Sequence, residues 1–473
     1  MTEAHPNSPE ATQELAKDAF SRLPLPPAVL ENLQRLGYER MTPIQAATLP
    51  LSLAGRDLIA QAKTGSGKTA AFALPLLNKL SARTQAVQAL VLCPTRELAD
   101  QVTQELRRLA RAEDNVKVLT LCGGVPLRGQ QTSLAHGAHV VVGTPGRVLD
   151  HLGRGNLSLE ATATLVLDEA DRMLDMGFAE EMAAVVQHCP KQRQTLLFSA
   201  TYPEGVAQLA AKFLKDPQTV TLTERHAANT IRERFIEVTE AARLGAVGQI
   251  LRHYRPTSTL AFCNTKARCR ELVAQLQAEG FVALELHGDL DQRERDQVLV
   301  QFANRSCSVL VATDVAARGL DIAQLEAVIN VDITPDSELH THRVGRTGRA
   351  GEDGWAFSLA SLDEMGRVGY IEEMQGRATQ WQALSELKDA EGGPLLPPMV
   401  TLQILGGRKE KIRAGDVLGA LTKDLGLPGE LVGKINVNEF STYVAVGRLI
   451  AKEALRGLNE GKVKGKSVKV RRI

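Results

Sequence analysis

Short, wholly apolar runs recur along the first half of this chain, separated by stretches with helical spacing. They are Leu58-Ile59-Ala60, Ala89-Leu90-Val91-Leu92, Val140-Val141-Val142, Leu165-Val166-Leu167 and Leu196-Leu197-Phe198. Runs of this kind read as strands covered on both faces, which requires a mostly parallel sheet inside an α/β layer. Ligands of such sheets bind at the carboxyl ends of the strands, so the residues after each run are where chemistry is expected.

Two of those positions carry a nucleotide signature. The first run is followed by Ala62-Lys63-Thr64-Gly65-Ser66-Gly67-Lys68-Thr69, and the fourth by Asp168-Glu169-Ala170-Asp171. Gly65 and Gly67 let backbone amides turn toward a phosphate, and the helix that follows adds its favourable N-terminal dipole. Lys68 is placed for the β- and γ-phosphates and Thr69 for magnesium. The acidic strand end is placed to hold the metal and polarise a water. The pair predicts an ATPase with Mg2+ bound alongside ATP.

The rhythm restarts after residue 234, in Leu260-Ala261-Phe262, Val282-Ala283-Leu284, Val309-Leu310-Val311, Val328-Ile329-Asn330 and Trp355-Ala356-Phe357. This second α/β domain has no second phosphate loop, which implies a cleft between one domain that binds nucleotide and one that does not. Gly392-Gly393-Pro394 to Pro397-Pro398 reads as a linker. The tail beyond it reads β-α-β-β-α-β: strands over 401–405, 432–438, 442–446 and 467–473, and helices over 415–425 and 448–458. That order suits a small ferredoxin-like domain.

A length of 473 residues predicts about three domains. No run of about 18 apolar residues and no charged-then-apolar leader is present, so neither a membrane span nor a signal peptide is expected. Six cysteines lack CxxC spacing, which predicts no disulfide partner and a cytoplasmic location. The net charge of +1 conceals an asymmetry. Residues 399–473 hold 15 Lys and Arg against 7 Asp and Glu, leaving 41 against 48 for the rest. A basic module on a mildly acidic body points to a polyanionic partner.

Over residues 20–375 the chain resembles the DEAD-box RNA helicases, a resemblance that implies two tandem RecA-like domains. Gly37-Tyr38-Glu39-Arg40-Met41-Thr42-Pro43-Ile44-Gln45, with Phe20 upstream, looks like the family's Q motif. A glutamine amide offers the donor and acceptor together that adenine requires, and Tyr38 is placed to stack on the base. The family's pattern also accommodates Ala62 at the start of the phosphate loop. By resemblance, Asp168 holds magnesium mostly through water and Glu169 activates the attacking water. Asp171 pairs with Ser199-Ala200-Thr201 and with His342 to couple sites.

His342-Arg343-Val344-Gly345-Arg346-Thr347-Gly348-Arg349 looks like the family's arginine motif, with Arg346 and Arg349 acting on the γ-phosphate. Asp321 is expected at the ribose. The resemblance assigns RNA to Pro94, Thr95 and Arg96, to Gly123 and Gly124, and to Thr144, Pro145, Gly146 and Arg147. In the second domain it assigns Gln292, Arg295 and Thr313. Hydroxyls, glycine amides and arginines with few aromatics grip a sugar-phosphate backbone and do not read bases.

The tail resembles the RNA-binding domain of the DbpA helicases, an RRM-like α+β module. Arg408, Lys409, Lys411, Arg413, Lys462, Lys464 and Lys466 carry that likeness. Alternating lysines along an extended segment are expected to form a stripe that follows phosphates. Of the aromatics on which ordinary RRMs stack bases, only Tyr443 is present in the third strand, so shape recognition by basic loops is expected.

The resemblance implies a 23S ribosomal RNA hairpin as target, and ATP-driven work on the assembling large subunit. The expected boundaries are a disordered extension 1–17, a first helicase domain 18–215, a linker 216–230, a second helicase domain 231–378, a linker 379–398 and the RNA-binding domain 399–473. Two other readings stay open: a DNA-directed translocase, and an ATP-gated RNA clamp or scaffold.

Overall fold

The structure, a computed structural model, describes residues 18–62, 65–113, 115–222, 231–317, 325–334, 336–348 and 353–473. The predicted extension 1–17 and the predicted site residues Lys63, Thr64, Asp321 and Arg349 lie outside the described residues. The chain divides into two compact units, one built from the described residues before 226 and one from those after.

The first unit holds a seven-stranded sheet: β1 (Leu58–Gln61), β2 (Ala89–Leu92), β3 (Val118–Leu121), β4 (Val140–Gly143), β5 (Thr164–Asp168), β6 (Gln194–Ser199) and β7 (Gln218–Thr221). The order is β3-β4-β2-β5-β6-β1-β7, with every pairing parallel. Each apolar run splits its side chains between two cores. Leu58, Ala60, Val91, Val166 and Phe198 face one; Ile59, Leu90, Leu165 and Leu197 face the other. That is the period of two expected of a strand with helices on both sides.

Strand β7 corrects one expected boundary. Gln218 to Thr221 pair with β1 in register, so the sheet runs past residue 215 and into the stretch expected to be a linker. The segment is polar and mostly exposed because it is an edge strand, and it lacks the apolar run that marks the interior ones.

The second unit contains a six-stranded parallel sheet: β8 (Ile231–Glu237), β9 (Thr259–Phe262), β10 (Ala283–Leu286), β11 (Val309–Ala312), β12 (Ala327–Asn330) and β13 (Gly354–Ala360), in the order β10-β11-β9-β12-β13-β8. It also contains a four-stranded antiparallel sheet: β14 (Met399–Ile404), β15 (Val432–Val437), β16 (Thr442–Gly447) and β17 (Val470–Arg472), in the order β15-β16-β14-β17. Its helices are Ala414–Gly419, prolonged by a wider turn to Asp424, and Ala451–Glu460.

The segment expected as a second linker, 379–398, is strapped to the domain before it. Phe235 on β8 donates to the Gln380 carbonyl and accepts from the Gln382 amide, each at 2.8 Å, so residues 380–382 cover the open edge of β8. Arg252 Nε reaches Asp389 at 3.0 Å, Tyr254 donates to Gln382 at 2.7 Å, and Arg255 donates to the Gly393 carbonyl at 2.8 Å. The polar groups of this linker are satisfied by the neighbouring surface.

The tail is seated as well. The Thr401 hydroxyl lies 2.6 Å from Ser306 Oγ and accepts from Asn304 Nδ2 at 3.2 Å, while the Met399 amide donates to the Arg305 carbonyl.

Candidate nucleotide and RNA sites

At the carboxyl end of β1 the chain turns through Gly65 and Gly67, both left-handed at φ 85° and 94°, and enters the helix Lys68–Asn78. The backbone angle at Gly67 favours glycine, and a Cβ there would come 2.6 Å from Gln45 Nε2, so that Gln45 would have to move. Gln45 holds this loop. Its Nε2 donates to the Gly67 carbonyl at 3.1 Å, and its Oε1 accepts from the Thr42 amide at 2.9 Å, which caps the helix Pro43–Leu53. Tyr38 meets Phe20 edge-on at 6.1 Å and donates to Glu105 at 2.5 Å; burial and that bond push its hydroxyl pKa up.

Lys68 is buried, and its ammonium has no hydrogen-bond partner among the described residues. Asp168, at the end of β5, is also buried, with Oδ1 unpartnered among the described residues. Burial pushes the Asp168 carboxyl up to about 7; the Lys68 charge opposes this and the Glu169 charge adds to it. Unmatched buried polar groups of opposite sign are costly, and here they mark a site that something else completes.

Glu169 caps the helix Ala170–Asp175 from a left-handed backbone, φ 53° and ψ 53°, rare for a residue with a side chain. Arg172, which no sequence signal had marked, holds it as an ion pair at 3.1 Å.

Asp171 ties this segment to the end of β6. Its Oδ2 accepts from the Ala200 amide at 3.1 Å, the Thr201 amide at 2.9 Å and the Thr201 hydroxyl at 3.0 Å, and its own amide donates to Ser199 Oγ at 3.2 Å. Burial pushes the Asp171 carboxyl up, but the bonds from Thr201 and Ser199 and the Lys68 charge outweigh it and hold the pKa low. The Ser199 carbonyl also accepts from the Ala62 amide, so β6 braces the root of the phosphate loop.

The residues assigned to RNA lie along the other half of the same edge. Pro94 to Arg96 follow β2, Gly123 and Gly124 follow β3, and Thr144 to Arg147 follow β4; these three strands are neighbours in the sheet. Thr95 caps the helix Arg96–Leu109, and Pro145 opens the helix Pro145–Gly153. Arg147 donates to the Val125 carbonyl and to Gln130, and Gln130 also meets His151 at 2.9 Å. Gln130 is a further positioning residue that no motif announced.

In the second unit the layout repeats. Gln292 opens the helix Gln292–Ala303 after β10 and donates to Asp296 at 2.8 Å, Arg295 is half-buried one turn on, and Thr313 follows the adjacent β11. The arginine motif closes the helix Ser337–Val344. Arg343 is buried and forks onto Asp314 at 2.7 and 2.6 Å, with further bonds to the Asp332 carbonyl and Asn264, so its role is to anchor that helix. Arg346 is buried and His342 half-buried.

Comparison with known proteins agrees with this geometry. Residues 42–209 match the DEAD/DEAH box helicase family, 242–351 the helicase conserved C-terminal domain, and 401–472 the DbpA RNA binding domain. The chain is 51% identical to the ATP-dependent RNA helicase DbpA of Escherichia coli over 96% of its own length and 99% of that protein. The chain belongs to the DEAD/DEAH box helicases.

It is an ATP-dependent RNA helicase of the DbpA type. It is also 43% identical to the helicase CshA of Geobacillus kaustophilus over 79% of the chain and 80% of that protein. Saccharomyces cerevisiae Dbp5 bound to RNA and ADP BeF3 matches 78% of the chain and 96% of that structure, at TM-score 0.72 and 31% identity. No described helix of the helicase is long and apolar enough to cross a membrane, and its six cysteines are buried free thiols.

Among the described residues no group of three or more His, Cys, Asp or Glu could hold a metal unaided. Magnesium carried in with the triphosphate would keep several waters and take few protein ligands. The orphaned Asp168 oxygen and the Thr69 hydroxyl at the helix start fit that arrangement.

The tail of the helicase differs from the expected stripe. Val463 and Lys466 exchange main-chain bonds at 2.9 and 3.1 Å around Lys464 and Gly465, both left-handed, which makes a two-residue turn. Alternation along 462–466 therefore does not line one side of a strand. Instead, Lys464 reaches the Lys411 carbonyl and Lys466 the Glu410 carbonyl at 3.4 Å, joining this turn to the loop carrying Arg408, Lys409, Lys411 and Arg413. Gly407 lies so close to Asn438 that a Cβ would come within 2.3 Å of its carbonyl oxygen. Lys462 and all these cations stay exposed. Tyr443 is buried and accepts from Gln403 at 3.1 Å, so it offers no base-stacking face.

Proposed function

We propose that this helicase acts in the cytoplasm on a hairpin of 23S ribosomal RNA during large-subunit assembly, locally prying apart short duplexes near the RNA that its tail holds. The observation that carries the catalytic part is the buried pair of unmatched groups, Lys68 Nζ and Asp168 Oδ1, under a glycine loop. Lys68 binds the β- and γ-phosphates, the loop amides cradle them, and Gln45 turns from Gly67 to the adenine edge while Tyr38 lies beneath the base. Asp168, mostly through water, and Thr69 would hold the magnesium that comes with ATP, which would supply neutralisation of charge on the phosphates. Glu169, aimed by its left-handed backbone and by Arg172, orients water and takes its proton.

Closure of the two units around RNA brings Arg346 and Arg349 to the γ-phosphate and Asp321 to the ribose, and couples Asp171, Ser199 and Thr201 to His342. RNA backbone is gripped by the strand ends of β2, β3 and β4, and by Gln292, Arg295 and Thr313. Base-indifferent contacts there leave selection to the tail, whose converging basic loops suit a folded RNA shape.

The test is ATP turnover against a panel of ribosomal RNA fragments and matched DNA, for the natural chain and for a variant with Lys411, Lys464 and Lys466 changed to Glu. Preference for one 23S hairpin that vanishes in the variant, with turnover on arbitrary RNA retained, is the expected result. Equal stimulation by DNA, or binding of RNA without turnover, would favour the translocase or the clamp.

A further inference from the structure

The helix Ser337–Val344 leads directly into Arg346, and Arg343 fixes one flank of it. A second anchor, one turn earlier, is a residue outside the arginine motif. His340 is fully buried, and its Nε2 lies 2.6 Å from Glu233 Oε1 on β8. Its ring stacks on Phe235 at 5.8 Å with an interplanar angle of 29°.

Glu233 is buried too. Its second oxygen accepts from Arg377 at 3.0 Å and Gln375 at 3.3 Å, at the end of the helix Met365–Gln375. Burial pushes the Glu233 carboxyl up, but the bonds from His340 and Arg377 outweigh it and hold it ionised.

A buried carboxylate facing an imidazole whose Nδ1 has no partner among the described residues is a poor way to gain stability, since an apolar pair of the same volume would pack there without desolvation cost. What a short directional bond supplies is orientation. Arg343 and His340 lie three positions apart, on neighbouring faces of one turn, and bonds from both prevent the helix from rolling.

We propose that Glu233 and His340 are positioning residues for hydrolysis: their bond sets the roll of the helix and so the direction in which Arg346 leaves it. This rests on the reading above that Arg346 acts on the triphosphate. Arg377 sits at the start of the strap that runs on to the tail, and it holds the outer oxygen of the same carboxylate.

The test is RNA-stimulated ATP hydrolysis by the full chain, with kcat and KM for ATP resolved and thermal unfolding recorded for each variant. Glu233→Leu should lower kcat about 10- to 100-fold, the scale of an ångström-sized misplacement. KM for ATP should stay within about two-fold, because the phosphate loop lies in the other unit. Glu233→Gln, which keeps the acceptor and removes the charge, should restore kcat to within about three-fold. His340→Phe, which keeps the stack on Phe235, should behave as Glu233→Leu and serves if that variant does not fold. Unchanged kcat in His340→Phe, or Glu233→Gln as damaged as Glu233→Leu, would overturn the proposal. If Arg346→Ala itself leaves kcat intact, the arginine reading has failed instead.

Discussion

The amide nitrogen of Gln45 holds the carbonyl of Gly67 at 3.1 Å, so the residue expected to read the base also latches the phosphate loop. Its oxygen meanwhile caps its own helix at Thr42. One side chain thus joins the start of its own helix to the phosphate loop, and on the proposed reading it couples loop geometry to base recognition.

Gln45→Ala should therefore raise KM for ATP about 3- to 10-fold, the worth of one or two neutral hydrogen bonds. Gly67→Ala should be far worse, since it adds a left-handed alanine to a Cβ placed 2.6 Å from Gln45. Nucleotide binding followed by fluorescence checks both; equal effects would show that the close approach does not matter.

Asp168 makes the site sensitive to pH. Its folded pKa of about 7 lies above the ordinary value of 3.8, so between those values the folded state holds a proton that the unfolded state has lost. The group therefore costs stability increasingly as pH rises through this window, by roughly 1 kcal/mol per pH unit, and the cost levels off above about pH 7. Asp168→Asn removes this titration. Without nucleotide, the variant should gain on the natural chain in urea unfolding between about pH 4 and 7, and no further above. A constant difference across pH would contradict the assignment.

Much of this was legible before the structure. Runs such as Ala89–Leu92 and Val309–Val311 are buried on both faces, and that is why they read as strands. Three of the four edge strands of the parallel sheets escaped: β3 has two half-buried residues among four, β7 is mostly exposed, and β8 precedes the rhythm of its domain, whereas the edge strand β10 is marked by Val282-Ala283-Leu284. The packing of 379–398 is not legible in the sequence, because polar and proline-rich composition says nothing about whether a neighbouring edge will satisfy it. Lys464 and Lys466 alternate as a strand would, but left-handed Lys464 and Gly465 turn the chain. Arg172, Gln130 and His340 carried no motif; only folding reveals that they hold Glu169, Arg147 and Glu233.

Glu169 should be separable from binding. Glu169→Gln keeps the size of the side chain and removes its basicity, so kcat should fall 10²- to 10⁴-fold while ATP and RNA remain bound together. Single-turnover hydrolysis with labelled ATP, alongside RNA retention on a filter, checks this; undiminished turnover would remove Glu169 from its role.

The tail loops predict a salt dependence. If about five of their cations meet phosphates, log affinity for the hairpin should fall with log salt at a slope of about −3.5 to −4.5. Lys411→Glu or Lys464→Glu should each reduce that slope by about one. Tyr443→Phe should leave affinity unchanged, because that ring is buried. A salt-independent affinity would refute recognition by these loops.

On the proposed reading, hydrolysis needs a group from each unit, Lys68 from the first and Arg346 from the second. This is tested by kcat for RNA-stimulated ATP hydrolysis by Arg346→Ala in the full chain, with nucleotide and RNA affinities determined separately. A fall of about 10³-fold or more is expected, with ATP affinity in the absence of RNA unchanged; a kcat within about two-fold of the natural chain would show that the second unit supplies no such group.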